Sequence, residues 1–214
     1  LTSEPHLIAN HFISLKKQFD QITLSEAGRQ ILETPNAGGS SVRSEVMSME
    51  LLKRLFNAKL LATEMDIYYF PHGSKRTDYS IEIEDCEFGA CRLGVSVTRA
   101  MVYQYQNNNN NSNHAAVAAR HTSEEGSSNN AQSSHVYSER DARNLLTKKL
   151  NGVIWSNSNN LDASRRRRGF NRQILHIFAQ NEHIAKTLQG VYAKEKSLDA
   201  LRANTIVLAR RASR

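Results

Sequence analysis

Residues 65–101 read MDIYYFPHGSKRTDYSIEIEDCEFGACRLGVSVTRAM, and this stretch decides the fold. Three β-rich runs share it. Glu64 to Phe70 is rich in aromatic residues and stops at the turn sequence Pro71-His-Gly-Ser74. Thr77 to Glu84 alternates, with Tyr79, Ile81 and Ile83 on one side and Asp78, Ser80, Glu82 and Glu84 on the other. Asp85 to Gly89 reads as a hairpin loop. Arg92 to Met101 then alternates Leu93, Val95 and Val97 against Gly94, Ser96 and Thr98. Period-2 patterning punctuated by turn residues predicts an antiparallel meander of three strands.

Upstream, the spacing predicts a helix over 42–60, with Ser41 or Ser44 as its cap. Val42, Val46, Met49, Leu52, Phe56 and Leu60 fall on one arc at 100° per residue. Glu45 falls inside that arc and Glu50 at its rim. A carboxylate on an apolar face is costly to bury without a partner, so Glu45 is either paired or aimed at a site on the sheet. Further upstream, Leu7, Ile8, Phe12, Leu15, Phe19 and Ile22 predict one helix, with a second short turn from Ser25 to Leu32. The sequence TPNAGGSS, residues 34–41, breaks that pattern as a linker.

Downstream, residues 104–134 are dominated by Asn and Ser and read as a disordered insertion. Ser138-Glu-Arg-Asp141 is a capping signature and opens a helix to about Trp155, with Ala142, Leu145, Leu146, Leu150 and Val153 on one face. Residues 173–179, QILHIFA, read as a buried strand, 182–193 as a helix, and 205–209, TIVLA, as a final strand. The strand-helix-strand connection favours parallel pairing through a right-handed crossover. The expected fold is α/β, a mixed sheet flanked by helices. Its expected organisation is a helical extension over 1–33, a linker over 34–41, the main domain over 42–209 and a basic tail over 210–214.

The net charge of +7 is localised. Arg165, Arg166, Arg167 and Arg168 form one run, and Arg210, Arg211 and Arg214 lie in the tail. Setting those seven aside leaves 21 of the 28 Lys and Arg, equal to the 21 Asp and Glu. Charge therefore points to short basic segments rather than to a broad basic face. No run of about 18 apolar residues exists, so no membrane-spanning helix is expected. LTSEPHLIANHF, the start of the chain, does not read as a secretory signal, and further residues are expected to precede its first Leu. Cys86 and Cys91, with no other cysteine, give no disulfide framework and suggest a reducing, nuclear or cytoplasmic, setting. The histidines lack ligand spacing for zinc, and no phosphate-binding glycine loop, dinucleotide fingerprint or nucleophile elbow is present.

The order helix, three strands, helix, strand over Val42 to Ala179 resembles the αβββαβ core of the PD-(D/E)xK restriction-endonuclease-like superfamily. Asp78 in the second strand and Gly94-Val-Ser-Val-Thr-Arg99 in the third carry the resemblance. It implies a divalent metal, magnesium, held by the strand Asp and by the acid of an acid-x-Lys pair. A Glu from the first core helix joins the metal shell in some branches. Asp78 matches the metal-binding Asp and Glu45 the helix Glu. Ser96 stands where the second acid would be and Thr98 where the Lys would be. Lys149 in the later helix, or Lys75 before Asp78, is a geometric candidate to replace the missing cation.

Three functions follow as expectations. The first is a degenerate nuclease-like domain that binds nucleic acid or a protein partner without efficient cleavage, its phosphate contacts coming from Arg165 to Arg168. The second is an active magnesium-dependent phosphodiesterase with migrated catalytic residues, Glu45, Asp78 and one Lys. The third is an interaction scaffold whose partner docks on the N-terminal helix. Tyr68, Tyr69 and Phe70 could stack on bases, although alternation sends at least one of them into the core.

Overall fold

The computed structural model of the chain describes residues 7–9, 19, 22–35, 42–71, 77–85, 89–102, 136–161, 170–202 and 205–211. Residues 1–101 and 137–214 form one unit. Residues 102–136 form a second unit, of which only Val102 and Val136 are described.

In chain order the elements are β1 (Leu7–Ala9), α1 (Glu26–Glu33), α2 (Val42–Phe56), β2 (Lys59–Thr63), β3 (Tyr68–Tyr69), β4 (Tyr79–Asp85), β5 (Gly89–Ala100), α3 (Glu139–Asn159), β6 (Asn160–Leu161), β7 (Arg172–Ala179), α4 (Glu182–Lys194), α5 (Asp199–Arg202) and β8 (Thr205–Arg211). Six strands make one mixed sheet in the order β1-β8-β7-β5-β4-β2, and β3 with β6 makes a separate two-stranded ribbon. β4 runs antiparallel to both β2 and β5, while β5, β7, β8 and β1 are parallel. The α/β class and the mixed sheet expected from the sequence are what the chain forms.

Alternation along the strands divides the helices between the two faces. Tyr79, Ile81, Leu93, Val95, Val97 and Ile174 pack with Val46, Met49 and Leu52 of α2 and Ile31 of α1. The opposite face meets α3, where the Gln173 side chain donates to the Val153 carbonyl at 2.9 Å. α3 and α4 pack on each other and over the parallel strands. Local signals set several boundaries. Ser138 and Asp141 cap α3 reciprocally, Asp141 N–H donating to Ser138 Oγ at 3.2 Å and Ser138 N–H to Asp141 Oδ2 at 2.9 Å. Asn181 caps α4 by accepting the Ile184 N–H at 2.9 Å.

Four expectations are corrected. The helix from Val42 ends at Phe56 rather than Leu60, because Asn57 turns left-handed, with φ 49°. The first core strand is consequently Lys59–Thr63, not Glu64–Phe70. Asp66 accepts from the Thr63 N–H and hydroxyl at 3.2 and 2.7 Å, which closes a 3₁₀ turn over Glu64–Asp66 and leaves Tyr68–Tyr69 to the ribbon. Within the N-terminal stretch, Leu7–Ala9 is a strand parallel to β8 rather than part of the expected first helix, Glu26–Glu33 is helical where Ser25 to Leu32 was expected to turn, and residues 10–18, 20 and 21 lie outside the described residues. α1 belongs to the domain as well, with Ile31 buried and Leu24 and Ala27 packed on the same core. The Asn/Ser-rich stretch 104–134, most of the linker (36–41), Lys75 and Cys86 lie outside the described residues, as do Arg165 to Arg168 and residues 212–214 of the tail. Among the described residues, no helix is long and apolar enough to cross a membrane.

Candidate functional site

Asp78 sits where β4 begins. Its N–H donates to the Val95 carbonyl at 3.0 Å, and its Oδ2 accepts the Val97 N–H at 2.5 Å. The carboxylate thus takes the place of a ladder carbonyl, between Ser96 and Thr98. Val97 is buried on the α2 side, so alternation turns Ser96 and Thr98, both half-buried, toward the α3 side. Position 77 is fixed from several directions. Thr77 N–H donates to the Tyr69 hydroxyl at 2.9 Å and Thr77 Oγ1 to Ser156 Oγ at 3.0 Å. The Gln173 amide nitrogen in turn donates to Ser156 Oγ at 3.0 Å. A ribbon, a helix and the sheet therefore hold the residue before Asp78.

Asp78 keeps some contact with water, yet protein crowds its carboxyl enough to raise its pKa from 3.8 to about 7. Burial is the main cause. The Val97 hydrogen bond opposes it, the nearby charge of Glu45 adds to it, Lys149 opposes it, and Glu64 adds to it. Glu45 is 6% exposed on α2, while Lys149 is half-buried on α3. Glu45 and Lys149, both singled out in the sequence, thus each bear on Asp78, from two different helices. Glu64 joins them and was missed, because a place in the predicted first strand gave it no role. Glu50 has a separate role: its Oε1 accepts the Ser25 N–H at 2.7 Å and closes the start of α1.

Magnesium fits this donor set poorly. It prefers carboxylate and water oxygens in octahedral geometry. One oxygen of Asp78 is engaged by Val97, Ser96 offers only a neutral hydroxyl, and Thr98 carries no charge. Among the described residues, no group of three or more His, Cys, Asp and Glu side chains is arranged to hold a metal ion.

Beneath the site, a buried chain of hydrogen bonds crosses the core. The Tyr79 hydroxyl donates to Ser48 Oγ at 2.7 Å, and Ser48 Oγ lies 2.7 Å from His176 Nδ1. Beside it, Ile67, Tyr69 and Phe170 form a satellite core, with Ala62 and Trp155 packed against it. Gly94 is required there, since a Cβ at that position would stand 2.7 Å from the Phe170 ring.

No family model matches the chain, and no solved structure matches it. It is similar to the "AAC-rich mRNA clone AAC4 protein" of Dictyostelium discoideum, 36% identical over 201 residues. That match covers 94% of this chain but 24% of the relative, so the chain spans about a quarter of that protein's length.

Proposed function

We propose that the chain is a divergent restriction-endonuclease-like domain that binds nucleic acid and cleaves it poorly or not at all. The observation that carries this reading is the setting of Asp78 at the start of β4, its carboxylate bonded to the Val97 N–H between Ser96 and Thr98. A strand aspartate, a glutamate of the first core helix and a lysine of the next helix influence one carboxyl group. The order α2, β2, β4, β5, α3, β7 supports it as well, with the small ribbon as an addition to the αβββαβ core. Weak catalysis follows from Ser96 and Thr98 at the acid and lysine positions, and from a carboxyl that holds a proton near neutral pH. A proton on Asp78 competes with any cation there. Phosphate contacts would come from Arg165, Arg166, Arg167 and Arg168, whose guanidinium groups can pair bidentately with phosphate oxygens.

The test is binding of labelled DNA and RNA against salt concentration. Four phosphate contacts give a log–log slope of about −3 to −4, and replacing the four arginines with alanine removes most of it. Affinity indifferent to salt would sink the reading. A second reading is favoured by the influence of the Lys149 charge on Asp78. There Asp78 and Glu45 would be the residues to hold a magnesium ion, which would polarise the phosphodiester, and Lys149 would supply the positive charge missing at Thr98. Magnesium-dependent cleavage that D78A and K149A both abolish would establish it in place of the first.

A further inference from the structure

We infer that the exposed face of α3 is a docking surface for duplex DNA and lies in its major groove. This rests on the nucleic-acid-binding reading above and names the duplex as what is bound. α3 is 21 residues long, and Arg140, Asn144, Lys148 and Asn151 are all exposed on it. At 100° per residue the four fall within an arc of about 80°. Trp155 and Ser158 complete that arc, which holds no Asp or Glu. The two acids of the helix, Glu139 and Asp141, lie in its first turn, and Asp141 accepts from the Ser138 N–H and hydroxyl at 2.9 and 2.7 Å. A merely solvated helix face ordinarily mixes the two signs of charge, whereas this one carries cations and amides alone.

Charge and shape identify the occupant. Neither Arg140 nor Lys148 has an ion pair among the described residues. The ground beside the start of the helix is basic as well. Arg143, one turn on from Arg140, donates to Glu195 Oε2 at 2.5 Å and so offsets that acid, and Lys194 and Lys196 on either side of it are exposed. A ridge of cations without counter-charge suits a polyanion. The amides between them suit base edges, since in the major groove Asn pairs with adenine and Arg with guanine. Arg140 to Asn151 spans about 16 Å of helix axis, or about five base-pair steps. The major groove of B-form DNA admits an α-helix, whereas that of A-form RNA is too narrow for side chains to read. The helix also separates binding from the candidate site. Lys149, whose charge bears on Asp78, is half-buried and about 180° around the helix from Arg140. A duplex on the exposed face therefore lies across α3 from Lys149, in keeping with binding without efficient cleavage.

The experiment is fluorescence anisotropy on the whole chain, with a labelled DNA duplex of about 20 base pairs, the same sequence as duplex RNA, and one DNA strand alone. The DNA duplex should bind tightest. R140A/K148A should lower the log–log salt slope by about 2 and weaken duplex binding about ten-fold or more at about 0.1 M salt. Its melting curve should stay in place, because Ala favours a helix. K53A/R54A removes two exposed cations from α2, on the other face of the sheet, and should leave the slope unchanged. Methylation of guanine N7, which lies in the major groove, should interfere with binding. A wild-type slope in R140A/K148A overturns the helix surface alone if salt-dependent binding persists. An equal loss of slope in K53A/R54A would mean that net charge rather than this face is read, and overturns it too. Tighter binding of the single strand or of duplex RNA, or indifference to N7 methylation, overturns the major-groove assignment. Polyglutamate that competes as well as the DNA duplex would assign the face to an acidic polypeptide and overturn the proposal. Absence of binding to every probe overturns the surface and the nucleic-acid reading together.

Discussion

Asp78 is the residue on which burial and a ladder hydrogen bond pull in opposite directions. Its carboxyl accepts a ladder N–H, which favours the charged form, yet burial and the Glu45 charge outweigh that bond and Lys149. Its folded pKa of about 7 stands above the 3.8 of an ordinary aspartate. Between those values the folded chain keeps a proton that the unfolded chain has released. Stability contributed by this group is therefore full below the lower value and is lost as pH rises through the upper one. The loss by pH 8 is at most about 4 kcal/mol, and solvent contact at Asp78 reduces it. Asp78→Asn keeps an oxygen for the Val97 N–H and abolishes the titration. Urea unfolding should find D78N more stable than wild type at pH 8, with the gap shrinking toward pH 4.5. Parallel pH profiles for the two proteins would mean that Asp78 titrates as in the unfolded chain.

At the scale of elements, the sheet and α2 are joined through Ser48. One hydroxyl on the helix meets Tyr79 of β4 and His176 of β7, all three buried. Burial holds the Tyr79 phenol far above its ordinary pKa, so it stays a donor. Ser48→Ala takes the shared oxygen from both neighbours and should cost about 2 to 3 kcal/mol. Tyr79→Phe removes one bond and should cost about 1 kcal/mol. Urea midpoints for the two variants check this order, and a neutral S48A would refute it. Ser48 also marks what the sequence left illegible. Its neighbours on α2 are legible from helical spacing, but a serine in that row carries no sign of a partner more than a hundred residues away. The alternation of β4 and β5 and the Ser138 to Asp141 cap are local, and could be read. β2 could not, because Leu60 continued the apolar arc of the helix and only the left-handed Asn57 ends it. The ribbon is two residues on each side, too short for any periodicity, and exists through long-range pairing. Of the candidate site, Glu45, Asp78 and Lys149 could be singled out from residue type and phase. Glu64 was not, since its place depends on the turn that Thr63 and Asp66 close.

For the whole molecule, the question is how a core divided by residues 103–135 holds together. β5, which ends just before that stretch, is held on both sides, by β4 that precedes it in the chain and by β7 that follows the stretch. The two ends of the stretch converge within the core. Gln180 N–H donates to the Ala100 carbonyl at 2.9 Å, and three residues later His183 Nε2 lies 3.2 Å from the Tyr137 carbonyl. Ala100 and Tyr137 are therefore tied to the start of the same helix, α4. Loop closure depends on length only logarithmically, about 0.6 kcal/mol for each doubling. Replacing 103–135 by about ten Gly and Ser residues shortens the loop some threefold and should change stability by no more than about 1 kcal/mol. The segment holds Arg120 against Glu124 and Glu125, so its removal barely alters the charge. The salt slope for nucleic acid should then be unchanged, because the arginine run lies elsewhere. Urea unfolding and anisotropy on the shortened chain measure both. A collapse in stability would mean that the stretch supplies part of the core. A loss of binding at intact stability would move the nucleic-acid contacts into the Asn/Ser-rich segment and away from Arg165 to Arg168.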